Sequence, residues 1–224
     1  MKKLLALFIS LFTVIGTNAF AQGGYVLFVT TKDNVYDEFT EPGVGLVAPG
    51  DVTATFLWAS VGTSDPLGAG VGTNGVAYTG GAWSTISSML SSGWTVAKDT
   101  GTGAEADVAV ATSGSLKGGL DYNNGVAFQL ANSTGGDTYE MLVIGWDNLG
   151  GASTLEQAMT ASVILGWSGS FYYATGATAG SAVDTFSQSG EAPFGVGTIP
   201  EPTALALASL GGLSLLLCGR FQKK

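Results

Sequence analysis

The chain has 224 residues and a formal net charge of −9, and 35 of its residues are glycine while only 11% are charged. It contains no histidine and a single cysteine, Cys218. These counts exclude a Ser-His-Asp triad, a Cys-His nucleophile pair, a Cys/His zinc site and a disulfide within the chain.

The N-terminus has the three parts of a secretory signal peptide. Two lysines precede an apolar run over 4–15, which is short for a bilayer span of about 20 residues. Ala19 and Ala21 place small residues where a signal peptidase requires them. We therefore predict a signal peptide over residues 1–21, removed to leave Gln22 at the mature start; an uncleaved anchor helix is the alternative.

Hydrophobic alternation predicts β-strands in the body of the chain. The runs 52–59 and 126–131 alternate strongly apolar residues with others, which is typical of strands with one buried face. Runs rich in β-branched and aromatic residues predict further strands at 25–31, 106–112, 139–146, 161–167 and 170–175. The run 139–146 is apolar on both faces, which predicts a central strand.

Helical patterns are scarce. Residues 84–90 and 154–160 are each predicted to form one or two turns. Thr154 is the predicted N-cap of the second helix, and Gln157 three residues later completes a weak capping box.

Short strands separated by turn signals predict a mainly β fold, an antiparallel β-sandwich-like single domain over residues 22–187. Its connectors are long and glycine-rich, at 41–50, 62–75 and 176–180. Residues 188–199 are predicted to form a flexible stem.

The body over 22–199 has three basic residues and sixteen acidic ones. Nucleic-acid phosphates and anionic lipid head groups require basic surfaces, so we predict neither as a partner. An acidic exported surface is compatible with weak calcium binding.

Two segments resemble oxygen-ligand sites. The segment 121–125 ends in Asn-Gly, but Asn132 stands where an EF-hand loop has its bidentate glutamate. Asn-Gly between apolar runs favours a hairpin turn instead. A second acidic cluster at 33–38 is predicted to be a solvated loop, so we predict no cofactor and leave weak calcium binding open.

Carboxylates are the remaining acid–base groups, and glycoside hydrolysis can proceed on two of them. The candidates are Glu105, Asp107, Glu140, Asp147 and Glu156. Their spacing selects no pair; Glu105 and Asp107 share a strand face, where mutual repulsion predicts solvent exposure. We therefore predict no enzyme activity, with a carboxylate glycosidase as the weaker alternative.

A carbohydrate-binding module with an aromatic platform is the other alternative. The chain has five tryptophans and seven tyrosines, and sugars pack their apolar faces on such rings. Trp58 lies on an apolar strand face and is a predicted core residue. Trp83 and Trp94 fall near glycine and serine, which makes them candidates for a ligand face; the competing interpretation places them in the core as well.

The C-terminus combines three elements in order. A Pro-Glu-Pro motif precedes an apolar run over 203–219, and the chain ends in basic residues. The run is at the short end of a membrane span, and the basic end is predicted to stay cytoplasmic. Cys218 is interpreted as a small apolar residue of the run, with lipidation as the alternative. The motif and basic residues are Pro200, Glu201, Pro202, Arg220, Lys223 and Lys224.

This tail resembles the PEP-CTERM sorting signal over residues 200–224, and a plain single-pass anchor is the alternative. The resemblance implies an inner-membrane intermediate that an exosortase processes near the Pro-Glu-Pro motif, after signal peptidase has acted. It also implies a Gram-negative bacterium that makes exopolysaccharide. The expected role is structural or adhesive, in the cell envelope or extracellular matrix and in association with that polysaccharide.

The body resembles a group of PEP-CTERM proteins as well. The shared features are the Gln-Gly start at Gln22, the Gly-Trp-Asp end of a strand at 145–147 and the Leu-Glu-Gln turn at 155–157. This resemblance implies a β-rich surface domain and supplies no activity.

Overall fold

The computed structural model describes residues 23–30, 34–36, 52–68, 81–110, 118–148, 151–182 and 191–196. The predicted signal peptide and the C-terminal sorting signal lie outside these residues. In the part of the chain that is described, no helix has the length and apolar character needed to cross a membrane.

The described fold is mainly β, with two antiparallel sheets, a two-stranded parallel sheet and two α-helices. The strands are β1 Tyr25–Val26, β2 Val35–Tyr36, β3 Val52–Ser60, β4 Thr95–Val96, β5 Val108–Ala109, β6 Phe128–Gln129, β7 Thr138–Asp147, β8 Leu165–Ala174 and β9 Phe194–Gly195. The helices are α1 Gly81–Ser91 and α2 Leu155–Ala161.

The main sheet has five strands, with β7 between β3 and β8. Along its other edge, β3 pairs with β4 and with β5 at separate positions. The β3–β7 register is continuous from Val52 opposite Asp147 to Ser60 opposite Tyr139. The predicted strand at 52–59 and the central position of the 139–146 strand are both confirmed.

Both faces of this sheet are covered. On the helix face, Leu57 and Ile144 pack in one core cluster with residues of α1 and α2. On the opposite face, here called the strand face, Phe56 and Val143 pack with residues of β1, β2, β6 and β9. The sheet therefore separates two cores, which explains why β7 has no polar side.

A β-bulge interrupts the pairing of β8 with β7. The register shifts by one residue, so Ser168 and Gly169 together lie opposite Val143. Gly169 has a φ of +75°, a conformation that glycine adopts without steric cost. The Val143 N–H donates instead to Ser168 Oγ at 3.1 Å. The serine hydroxyl thus satisfies a buried backbone donor at the point where the regular ladder is broken.

The bulge reverses the faces of β8. Trp167, before it, packs in the helix-face core, whereas Phe171, after it, packs in the strand-face core. The predicted strands at 161–167 and 170–175 are in fact one strand that begins at Leu165. The prediction was also wrong at Ala161, which is the last residue of α2.

The predicted helices are confirmed, and the first is longer than expected. The Gln157 N–H donates to the Thr154 Oγ1 cap at 3.3 Å. The Gln157 side chain accepts from the Ser153 N–H at 2.9 Å, one residue before the N-cap. The reciprocal bond of the capping box is therefore displaced by one position.

The Asn-Gly segment is a turn, but the predicted hairpin was wrong. Its two asparagines, at 123 and 124, have φ values of 55° and 53°. The flanking residues both pair with the same N-terminal segment, Asp121 with Val29 and Phe128 with Val26. The turn is therefore an excursion within one antiparallel ladder and does not connect two neighbouring strands.

The C-terminal segment 191–196 packs on the strand face through two glycines. Gly145 and Gly166 are paired across β7 and β8. A Cβ atom at Gly166 would lie 1.8 Å from the carbonyl oxygen of Gly195. Only glycine permits this approach. In the same segment, β9 pairs in parallel with β2. The predicted flexible stem is corrected here, because Phe194 is fully buried.

We expect Ser168→Ala to destabilise the fold by about 1–3 kcal/mol, because the Val143 N–H would be left buried without an acceptor. Chemical denaturation measures this change. Ser170→Ala, on the exposed side of the same strand, is the control and is expected to stay within about 0.5 kcal/mol of the parent. Equal effects for both variants would contradict the proposed role of the Ser168 hydroxyl.

Candidate functional site

An acidic cluster lies beside β3 in the described structure. Thr55 is fully buried, and its hydroxyl donates to the carbonyl of Ala106 at 3.2 Å. This bond and the burial of Ala106 hold the segment before β5 against the sheet. Glu105 and Asp107 flank Ala106, so the chain brings two carboxylates to the edge of a buried strand.

The two carboxylates are less exposed than predicted. Glu105 Oε2 and Asp107 Oδ1 are out of contact with solvent and have no hydrogen-bond partner among the described residues. Burial, together with the neighbouring charge of Glu105, raises the pKa of Asp107 from its ordinary value of 3.8 to about 7, and a hydrogen bond with Thr55 partly opposes this rise. The expectation of a solvent-exposed pair was therefore wrong.

A phenol and a third carboxylate extend this acidic cluster. The Tyr122 hydroxyl donates to Asp99 Oδ2 at 3.4 Å, and Asp99 Oδ1 accepts from the Gly101 N–H at 2.7 Å. Burial raises the pKa of Tyr122, and the charges of Asp99 and Asp107 raise it further. The charges of Asp99 and Asp107 therefore act on the pKa of Tyr122.

This arrangement has the chemistry of a proton donor and acceptor. A carboxyl group with a pKa of about 7, which keeps its proton on a substantial fraction of molecules near neutral pH, beside another carboxyl group is the combination that acid–base hydrolysis uses. Among the described residues, no group of three or more acidic, histidine or cysteine side chains is placed to hold a metal ion.

The other predicted carboxylates are dispersed. Glu140 and Asp147 lie toward opposite ends of β7, which separates their backbones by roughly 23 Å at about 3.3 Å per residue. Glu156 is exposed on α2. Of the five candidates, only Glu105 and Asp107 are coupled through a perturbed pKa.

Trp83 and Trp94 do not form an aromatic platform. They are 4% and 2% exposed. The Trp83 Nε1–H donates to the carbonyl of Val163 at 2.6 Å, and the Trp94 Nε1–H donates to the carbonyl of Ser64 at 3.0 Å. The predicted ligand face is therefore corrected, because both indoles are core residues with satisfied N–H groups. Trp58 is a core residue of the opposite face, as predicted.

The acidic cluster predicted at 33–38 is described only in part. Asn34 is 3% exposed, so it is not part of a solvated loop as predicted. Its Nδ2 donates to Glu191 Oε2 at 2.6 Å. Burial raises the pKa of Glu191 from 4.5 to about 8, although the bond from Asn34 lowers it in part.

Sequence reasoning missed Glu191 because it assigned this residue to a stem. The available signal was the apolar segment from Phe194 to Val196, which lies shortly after Glu191 and needs a surface to cover it. The processing residues Ala19 and Ala21, and those from Pro200 to Lys224, lie outside the described residues.

No known family model, curated protein sequence or solved structure matches this chain.

We expect Asp107→Asn to change how stability depends on pH. Because the folded-state pKa is raised, the contribution of Asp107 to stability is greatest below pH 3.8 and is lost as pH rises to about 7. Between pH 3.8 and about 7, the melting temperature of the variant should fall less than that of the parent. Above pH 7, the melting temperature of the variant should be higher than that of the parent.

Thermal unfolding at a series of pH values measures this difference. Asp137→Asn is the control, because Asp137 is exposed and the same charge is removed there. Parallel pH profiles for Asp107→Asn and the parent would contradict the inferred burial of this carboxyl.

Proposed function

We propose that the chain is an exported protein of the cell envelope or extracellular matrix that is sorted by an exosortase. The observation that carries this proposal is the tail, in which Pro200-Glu201-Pro202, the apolar run 203–219 and a basic end follow in order. The signal sequence over 1–21 supports it, because sorting of this kind acts on exported proteins. The expected organism is a Gram-negative bacterium.

The proposed role of the body is structural or adhesive, in association with exopolysaccharide. Its excess of acidic residues would keep it soluble and repel nucleic acid. The two tightly packed cores support a role in which a rigid domain is displayed. We also propose that the segments carrying β1, β2, β6 and β9 form the second layer of a sandwich-like domain.

A carboxylate glycosidase is the second candidate function. The observation that favours it is Asp107, whose pKa of about 7 and proximity to Glu105 suit a general acid. An Asp107→Asn variant that still folds tests this function. If the parent hydrolyses the host polysaccharide and the variant does not, a glycosidase activity replaces the proposed structural role. A parent without hydrolysis leaves the structural role in place.

For carbohydrate recognition, the candidate ring is Tyr172, because the predicted Trp83 and Trp94 are buried. Tyr172 is 58% exposed on β8, and its cross-strand partner is the buried carboxylate Glu140. The exposed ring provides a stacking surface for a sugar. Tyr172 is therefore the residue through which we test direct binding.

For sorting, we expect the mature parent protein from its host to lack residues 203–224. A Pro200→Ala/Pro202→Ala variant should retain them, because the recognition motif is lost. Intact mass spectrometry measures both. Pro193→Ala is the control, since it makes the same change at an exposed proline outside the motif. Retention of 203–224 on the parent would establish a plain anchor instead.

For polysaccharide association, we expect saturable binding of the processed protein to exopolysaccharide from its host. Tyr172→Ala should weaken it about tenfold or more if the ring stacks on sugar, since truncating an aromatic residue that dominates a binding surface costs about 2 kcal/mol or more. Val61→Ala, at another exposed apolar residue, is the control. Binding that is lost only with a chelator would indicate calcium bridging, and no binding would contradict the association.

A further inference from the structure

We propose that residues 191–196 form a pH-sensitive latch that is closed by a reciprocal pair between Glu191 and Asn34. In this pair, the amide of Asn34 donates to the carboxyl group of Glu191, and the neutral carboxylic acid donates its own proton back to Asn34. The latch fixes the point at which the C-terminal tail leaves the domain.

The hydrogen bonds of these two side chains support a reciprocal pair. Asn34 Nδ2 donates to Glu191 Oε2 at 2.6 Å. The second oxygen of each side chain, Asn34 Oδ1 and Glu191 Oε1, is out of contact with solvent and has no donor among the described residues. A proton on Glu191 Oε1 would turn that atom into a donor and give Asn34 Oδ1 its missing bond. One proton therefore satisfies both atoms.

The surroundings of Glu191 favour the neutral acid. The residue is partly exposed as a whole, but burial of its carboxyl group raises the pKa to about 8. The other cause of the shift is the bond from Asn34, so no charged group among the described residues contributes. Asp121 and Tyr122 are the ionisable residues on the neighbouring segment, and Lys32 and Lys117 lie outside the described residues.

The backbone of Asn34 holds the same segment. Its carbonyl accepts from the Phe194 N–H at 2.9 Å, and its N–H donates to the carbonyl of Gly118 at 3.1 Å. Phe194 and Val196 then lie over the glycine pair of β7 and β8. Asn34 is therefore the point where the latch, β2 and the 118–122 segment are joined.

The sign of the pH dependence follows from the raised pKa. Below pH 4.5 the carboxyl group is neutral in both the open and closed states, and closure is strongest. Between pH 4.5 and about 8 the open state loses its proton while the closed state keeps it. Closure should therefore weaken about tenfold for each pH unit in this window and become constant above it.

The latch would also set the reach of the tail. Pro200 follows Val196 by four residues, so with the latch closed it lies within about 14 Å of the domain surface. With the latch open, the last described residue before it is Ala182, and the eighteen residues from there to Pro200 can span at most about 60 Å. This consequence for processing rests on the proposed sorting function, whereas the latch itself does not.

Hydrogen exchange of the full chain in detergent tests the latch. Mass spectrometry follows a peptide covering 191–196, and each rate is divided by the intrinsic rate at that pH. In the parent, protection should fall by about a hundredfold between pH 5 and pH 7. In Glu191→Gln, protection should be independent of pH, because a neutral amide can make the same two bonds with Asn34.

Glu156→Gln is the matched control, since Glu156 is exposed on α2 and the variant should keep the pH dependence of the parent. A carbon-13 titration of the Glu191 carboxyl group gives the independent readout, and a pKa near 8 is expected. A pKa at or below 4.5, or protection in the parent that does not vary with pH, would overturn the proposal. A low pKa would point to a cationic partner such as Lys32 or Lys117. Neither readout depends on processing by an exosortase.

Discussion

β7 is buried on both faces, and the rest of the described structure depends on covering it. Leu142, Ile144 and Trp146 require one apolar layer, and Met141 and Val143 require another on the opposite side. Two short helices supply the first layer, and a set of two-residue strands supplies the second. Removing apolar surface from water is the main favourable term in folding, so this central strand determines how many layers the domain needs.

The layers differ in how closely they approach the sheet. The helix face keeps large side chains such as Trp83 between helix and strand. On the strand face, the pair Gly145 and Gly166 lets the backbone of β9 make direct contact. The C-terminal segment consequently gains burial without contributing a long strand. The same contact places Glu191 beside Asn34, where its carboxyl group is taken out of solvent and its pKa rises.

Alternation over 52–59 and the uninterrupted apolar run over 139–146 predicted β3 and β7, because each has a single dominant pattern over eight residues. Strand periodicity failed at β8, because the bulge at Ser168 and Gly169 reverses the faces and hides the continuity of the strand. Trp83 and Trp94 were misplaced because local glycine and serine do not reveal which layer covers a ring. The coupling of Glu105 with Asp107 could be predicted from their spacing, whereas its burial depends on Thr55 in a strand fifty residues away. Asn34 and Glu191 are more distant still in sequence, and no local pattern links them.

The parallel pairing of β2 with β9 also determines how the domain would respond to mechanical load. A pull applied at the C-terminal end of the described chain would act first on Val196 and β9. That strand contacts β2 through only two residue pairs, whereas β3 and β7 are joined along nine. The short pairing would yield before the long one, and the force would then reach the described chain at Ala182, eight residues after the end of β8. The main sheet and the helix-face core would stay intact, whereas the strand-face core would lose Phe194 and Val196. The chain would therefore absorb a first extension without separation of β3 from β7.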